Sequence, residues 1–519
     1  MIKNIKWLVL VSLTVVACSD DDIEVVNNSS DGLVLTAGTA DFSKFVSLGN
    51  SLTAGFSDGA LFIEGQKNAY PAILASQFAL VGGGDFTTPF MNDNVGGLLL
   101  GGTMVQGPRL FFNGAGPQSV SEMPTTEITN TLTGPFNNLG IPGAKSFHLL
   151  APGYGNVAGV PAGLANSYYV RFASSPSATV LADATAQSAT FFSLWIGNND
   201  VLSYATSGGA GINQLGNFNP STYGGNDITD PTVFANAYST LVDGLTANGA
   251  KGVVANLPYV TSVPYFTTVP TNPIPGLPAA SAGQLNQLFG GINLALAGAG
   301  LPSRFVTLVA DDGNTGTIEA NPLLIRDESL PNISAQITAA LSGTLGVPTA
   351  TFLGSIYGQA RHASNAAGVR DYIVLPARTV IGTTQAGAPA PFNTIGVSFP
   401  MQDSTTLTAF EANEVKTATD AFNAAIRSIA SAKNLAFVDA NALLTQVASG
   451  GVRKDNVTVT SNYVTGGGFS LDGVHPSPRG YALIAHEFFK AINLTYGSNF
   501  KGVNIGEYRI LYPANSNNF

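Results

Sequence analysis

Side chains that could do chemistry here are few, and their spacing narrows them further. The 519-residue chain has four histidines, His148, His362, His475 and His486. An imidazole acts as a directed base when a carboxylate holds its far ring nitrogen. A three-residue step in a loop allows that contact. The residues three positions earlier are Lys145, Gln359, Asp472 and Leu483, so only His475 has a carboxylate partner. His148 and His486 lie in helical patterns and read as packing or surface residues. His362, beside Arg361, reads as a plain loop position or as part of a cleft wall. A serine to pair with His475 stands in "FVSLGNSLTAG", where the apolar run Phe45–Leu48 stops at Gly49 and Ser51 follows two residues later. Alone, Ser51 is either a helix N-cap or a nucleophile. Alone, Gly143 in "NLGIPGAKS" is a turn glycine, Asn199 in "GNND" is a loop asparagine, and Asp472 is a cap for the last helix.

The elements that must position these groups are legible as alternating strands and helices. Four apolar runs read as buried parallel strands: Phe45–Gly49, Phe191–Gly197, Gly252–Leu257 and Leu435–Asp439. A fifth lies near Leu132–Gly140. Helical periodicity falls between and after them. The segment 230–250 has Pro231 at its start and Asn248-Gly249 at its end. Residues 414–434 place Val415, Ala418, Phe422, Ile426 and Ile429 on one face. Residues 477–497 do the same with Tyr481, Ala485, Phe488 and Ile492. Such alternation predicts an α/β fold with a parallel sheet between helices. Ligands bind past the carboxyl ends of strands in open sheets of this kind. Ser51 and Asn199 each fall just beyond a strand. Asp472 and His475 come after the last strand and just before the final helix.

Together the four stretches resemble the SGNH hydrolase superfamily, the GDSL-type esterases and lipases. The family's Gly-Asp-Ser-Leu block is matched by Gly49-Asn50-Ser51-Leu52, its glycine block by Gly143, its Gly-x-Asn-Asp block by Gly197-Asn198-Asn199-Asp200, and its Asp-x-x-His block by Asp472 and His475. The resemblance implies a three-layer α/β/α sandwich with a parallel central sheet, flavodoxin-like, carrying long loop insertions. It implies Ser51 as nucleophile, His475 as base and Asp472 as the group that orients it. The oxyanion hole would be the Ser51 N–H, the Gly143 N–H and the Asn199 side chain. Two departures stand out. Asn50 replaces the family aspartate, and the stretch from Asn199 to Asp472 is much longer than in compact members. The α/β-hydrolase alternative requires Gly-x-Ser-x-Gly, and Thr53 breaks that pattern.

Composition bounds the rest. The chain is 45% hydrophobic and 10% charged with a formal charge of -10, which argues against a nucleic-acid partner. No run of about 18 apolar residues exists to span a membrane. Residues 1–17 read as a lipoprotein signal peptide, ending in "VVAC", which resembles the bacterial lipobox. Cys18, the one cysteine, would carry the lipid. The acidic Ser19-Asp20-Asp21-Asp22 resembles the surface-export signal of Bacteroidetes lipoproteins. Residues 18–40 form a flexible tether, and 41–519 the hydrolase domain, with insertions at about 81–125, 203–229 and 258–405. The expectation is an outer-membrane, cell-surface esterase acting on lipid or acylated-glycan esters. Segment 258–278, with six prolines, either walls an acyl pocket or packs over the sheet edge. No His/Asp/Glu cluster has ligand spacing, so neither metal nor cofactor is expected. Two alternatives remain: an O-acetyl esterase on glycans, and a non-enzymatic outer-membrane binding or transport lipoprotein. Against the second, "YPANSNNF" lacks the alternation of a barrel strand.

Overall fold

The computed structural model describes residues 32–314 and 319–515. The segment read as a signal peptide (1–17), Cys18, most of the segment read as a tether (18–40) and Phe519 lie outside the described residues.

Five strands form the central sheet: β1 (Phe45–Gly49), β2 (Asn138–Gly140), β3 (Phe191–Trp195), β4 (Lys251–Ala255) and β5 (Ala436–Val438). Their order is β2-β1-β3-β4-β5 and every pairing is parallel. All five residues of β1 and of β3 are buried, as both faces of a covered parallel sheet require. The register sets Gly49 beside Gly140 on one side and Trp195 on the other. After β1 the chain moves outward to β2, then returns to place β3 on the other flank of β1. The order therefore reverses between β1 and β3, where a crevice forms at the strand ends.

The helices used below are α1 (Ser51–Ala54), α2 (Tyr70–Phe78), α3 (Asn199–Thr206), α4 (Pro231–Thr246), α5 (Ala279–Gly298), α6 (Ser334–Leu345), α7 (Val347–Tyr357), α8 (Ala409–Ala432), α9 (Ala440–Ser449) and α10 (Pro478–Tyr496). Two groups flank the sheet. In one, α10 packs on β4, β5 and α2; in the other, α8 packs on β4, β5, α3 and α4. The stripes anticipated for α8 and α10 are buried, apart from the half-buried Ile429. α8 begins earlier than its apolar periodicity suggests, because Thr408 and Glu411 form a capping box.

The insertions are ordered elements. Residues 81–125 hold two short hairpins, Leu98–Leu100 with Thr103–Gln106 and Leu110–Phe112 with Pro117–Ser119. Within 258–405, α5, α6 and α7 enclose a second core around Phe289, Phe305, Ile337 and Tyr357. His362 belongs to that core and to neither of its expected settings. It lies in strand Ala360–His362, is 5% exposed, and its Nδ1 accepts from the Val306 N–H at 3.0 Å.

Candidate active site

β1 ends where a side chain would not fit. A Cβ at Gly49 would sit 2.1 Å from Thr53 Oγ1 and 2.4 Å from the Trp195 carbonyl, so the chain turns there against β3. Asn50 then caps α1, its Oδ1 accepting from the Leu52 N–H at 3.0 Å. The cap that Ser51 could have supplied is thus already filled. Asn50 also donates from Nδ2 to Asn198 Oδ1 at 3.0 Å, tying the ends of β1 and β3 together. An aspartate could not make that donation, which gives the Asn50 departure a physical role.

Freed from capping, the Ser51 hydroxyl lies 2.9 Å from His475 Nε2, and His475 Nδ1 lies 2.9 Å from Asp472 Oδ2. The sequence spacing that singled out this pair therefore corresponds to contact. Asp472 leaves the cap of α10 to Ser477. Its own oxygens are saturated: Oδ1 accepts from the Val474 and His475 N–H groups, both at 2.8 Å, and Oδ2 from the Gly59 N–H at 2.9 Å. Burial pushes its carboxyl up, but the facing imidazole and these N–H groups outweigh burial and hold it at about 2. Phe56 packs on the His475 ring at 4.6 Å.

Spacing gave no hint of what fixes the 470–476 loop. The turn Ser57-Asp58-Gly59 clamps it, through Ser57 Oγ to the Pro476 carbonyl, the Asp58 N–H to Ser470 Oγ, and the Leu471 N–H to Asp58 Oδ1. Asp58 is 1% exposed and its Oδ2 finds no partner among the described residues. Burial pushes its carboxyl up to about 7; the Leu471 N–H opposes the shift and the Asp472 charge adds to it.

The two remaining predicted residues meet beside this triad. Gly143 has φ +81°, and a Cβ there would meet nothing nearer than Asn166 Nδ2 at 3.9 Å, so conformation rather than crowding favours glycine. Asn199 donates from Nδ2 to the Ala144 carbonyl at 2.9 Å, and its second amide hydrogen has no described acceptor. Next to it, the buried Asp200 accepts from the Ser146 N–H (2.8 Å) and O–H (2.7 Å), pinning the 141–146 turn to the start of α3. The motif includes Asp200, but its spacing gave no hint of this role. Neither the Ser51 nor the Gly143 N–H donates to a described backbone acceptor, so both can serve an incoming oxyanion.

A cavity of about 100 Å³ opens on Ser51 and His475. Its walls include Leu52, Val260, Val263, Leu443, Val447 and Ile484, with Trp195, Pro258 and Ala440 at or just past the ends of β3, β4 and β5. Segment 258–278 therefore contributes to the wall of this cavity through Pro258, Val260 and Val263. Helix α9 went unforeseen, although Asp439 as N-cap followed by Leu443, Leu444 and Val447 was readable. The other three histidines are packed away from such chemistry. Burial pushes His148 and His362 down to about 4 and lowers His486. For metal binding, the fold brings Asp311, Asp312 and Glu319 within 4.8 Å of one another, a mostly exposed acidic group that sequence spacing did not show.

No protein-family model matches the chain, and neither a curated protein nor a solved structure is detectably similar to it.

Proposed function

We propose that this protein is a serine esterase of the SGNH type, hydrolysing carboxylic esters through an acyl-enzyme, and that its sheet and flanking helices form the three-layer α/β/α sandwich of that class. One observation carries the proposal: the unbroken relay from Ser51 Oγ through His475 to Asp472, 2.9 Å at each step. A serine hydroxyl is a weak nucleophile unless a base takes its proton. His475 Nε2 takes it as Ser51 Oγ bonds to the carbonyl carbon. The imidazolium, steadied by Asp472, then passes that proton to the departing alcohol oxygen as the carbon–oxygen bond breaks. Water repeats the sequence on the acyl-enzyme and releases the acid. The Ser51 and Gly143 N–H groups and the spare Asn199 hydrogen take the oxyanion.

The acyl group belongs in the apolar cavity. Burial of a methylene contributes about 0.8 kcal/mol, so butyrate should exceed acetate by about tenfold or more in kcat/KM. The N-terminal features support a lipid-anchored protein at the bacterial outer membrane, with the ester at the cell surface. The test is a series of p-nitrophenyl esters given to protein lacking residues 1–18. Rates should rise from acetate to octanoate and vanish in Ser51→Ala with the fold unchanged. A preference for acetate would favour an O-acetyl esterase. Full activity in Ser51→Ala would remove the proposal.

A further inference from the structure

We propose that a second, polar cleft on the other side of Phe56 holds the leaving alcohol, and that Gln106 and Ser167 within it select alcohols bearing further hydroxyl groups, of the glycerol or sugar kind. This rests on the esterase proposal and adds the alcohol half of the substrate.

The cleft measures about 200 Å³ and is lined by Leu98, Val105, Gln106, Pro142, Ser167 and Tyr168, among others. It shares no lining residue with the acyl cavity, and neither Ser51 nor His475 lines it, but three links join its walls to the groups around them. Pro142 directly precedes Gly143, and its carbonyl accepts from Asn166 Nδ2 at 2.8 Å. Gln106 Nε2 approaches the Gly59 carbonyl at 3.4 Å, while the Gly59 N–H holds Asp472. Phe56, packed on His475, faces the Tyr168 ring at 6.4 Å. The cleft thus borders the oxyanion turn directly, through Pro142, and is linked to the histidine that must protonate the alcohol through the Tyr168 and Phe56 rings that stand between them.

Geometry at carbon supplies the direction. A tetrahedral centre on Ser51 carries the serine oxygen, the oxyanion, the acyl chain and the alcohol oxygen. With the chain in the apolar cavity and the oxyanion at Gly143 and Asn199, the alcohol oxygen must depart within reach of His475 Nε2, and in this proposal its body runs past Phe56 toward the cleft. The polar groups there divide by availability. Asn166 is fully engaged, donating to the Pro142 carbonyl and Tyr154 Oη and accepting from the Tyr168 and Tyr169 N–H groups, so it is framework. Gln106 Oε1 and Ser167 Oγ have no partner among the described residues, and can pair with substrate hydroxyls.

The experiment fixes the acyl group and varies the alcohol, comparing glyceryl monobutyrate with methyl butyrate. In the double variant Gln106→Ala/Ser167→Ala, the ratio of kcat/KM for the glyceryl over the methyl ester should fall about tenfold, as expected for two lost hydrogen bonds. Ser167→Phe, which fills the cleft, should lower the same ratio. The acetate-to-octanoate ratio on p-nitrophenyl esters should hold in both, which a general structural defect would not allow. An unchanged glyceryl-to-methyl ratio in both variants, with hydrolysis intact, overturns the alcohol cleft alone. Failure of the unaltered protein to cleave any ester overturns the esterase proposal beneath it.

Discussion

Replacing Asp472 by asparagine separates orientation of the histidine from its mere presence. The carboxylate takes three backbone N–H groups and one imidazole nitrogen, and an amide cannot satisfy all four. With its oxygen toward Val474 and His475, its NH2 meets the Gly59 N–H and His475 Nδ1. With its oxygen toward Gly59 and the imidazole, its NH2 meets two backbone N–H groups. Each opposed donor pair costs about 1–3 kcal/mol, so the first arrangement wins by one such pair. In that arrangement Nδ1 becomes an acceptor and the ring proton moves to Nε2, facing Ser51. The base is then lost although the ring stays in place. The expected fall in kcat is about 10⁴-fold, or about 5.5 kcal/mol of barrier. Rates on p-nitrophenyl butyrate, with circular dichroism to verify folding, measure it. A folded Asp472→Asn protein within tenfold of the native kcat would refute the role given to this carboxylate.

Asn199→Ala should lower kcat by ~10²–10³ through loss of one oxyanion donor, measured on the same ester. Val447→Phe should narrow the acyl cavity and cut the octanoate-to-acetate rate ratio by about tenfold, as befits roughly two methylenes denied burial. Asp58 bears on stability instead. Burial raises its carboxyl from the ordinary 3.8 to about 7, so the folded state holds the extra proton. That contribution is present at low pH and is lost as pH rises from about 4 to 7, by up to about 4 kcal/mol. Asp58→Asn should flatten the fall in denaturant stability across that window, and an unchanged slope would count against a protonated Asp58.

The strands of the sheet core were legible because β1 and β3 are fully buried, largely apolar runs and β4 is buried from Gly252 onward. β2 is only three residues long, so its pattern located it no more closely than the end of the stretch Leu132–Gly140. α5 was hidden by Gly283, Gly290 and Gly291 in its interior, and α7 by Pro348 at its start and Gly354 within it. Tertiary packing against the second core overrides those weak local preferences. Ser51, Asp472 and His475 were readable because each stands at an element boundary with a chemically specific neighbour. The clamp at Asp58 and Gly59 was not, since its bonds cross 413 residues of sequence and nothing local marks either residue.

Labelling with a fluorophosphonate, followed by peptide mass spectrometry, tests the central claim most directly, because the probe bonds to a serine only when a neighbouring base activates it. A single adduct on the Ser51 peptide is predicted, absent in Ser51→Ala and strongly slowed in His475→Ala. Labelling at another serine that persists in Ser51→Ala, or no labelling of the folded protein, would contradict the account.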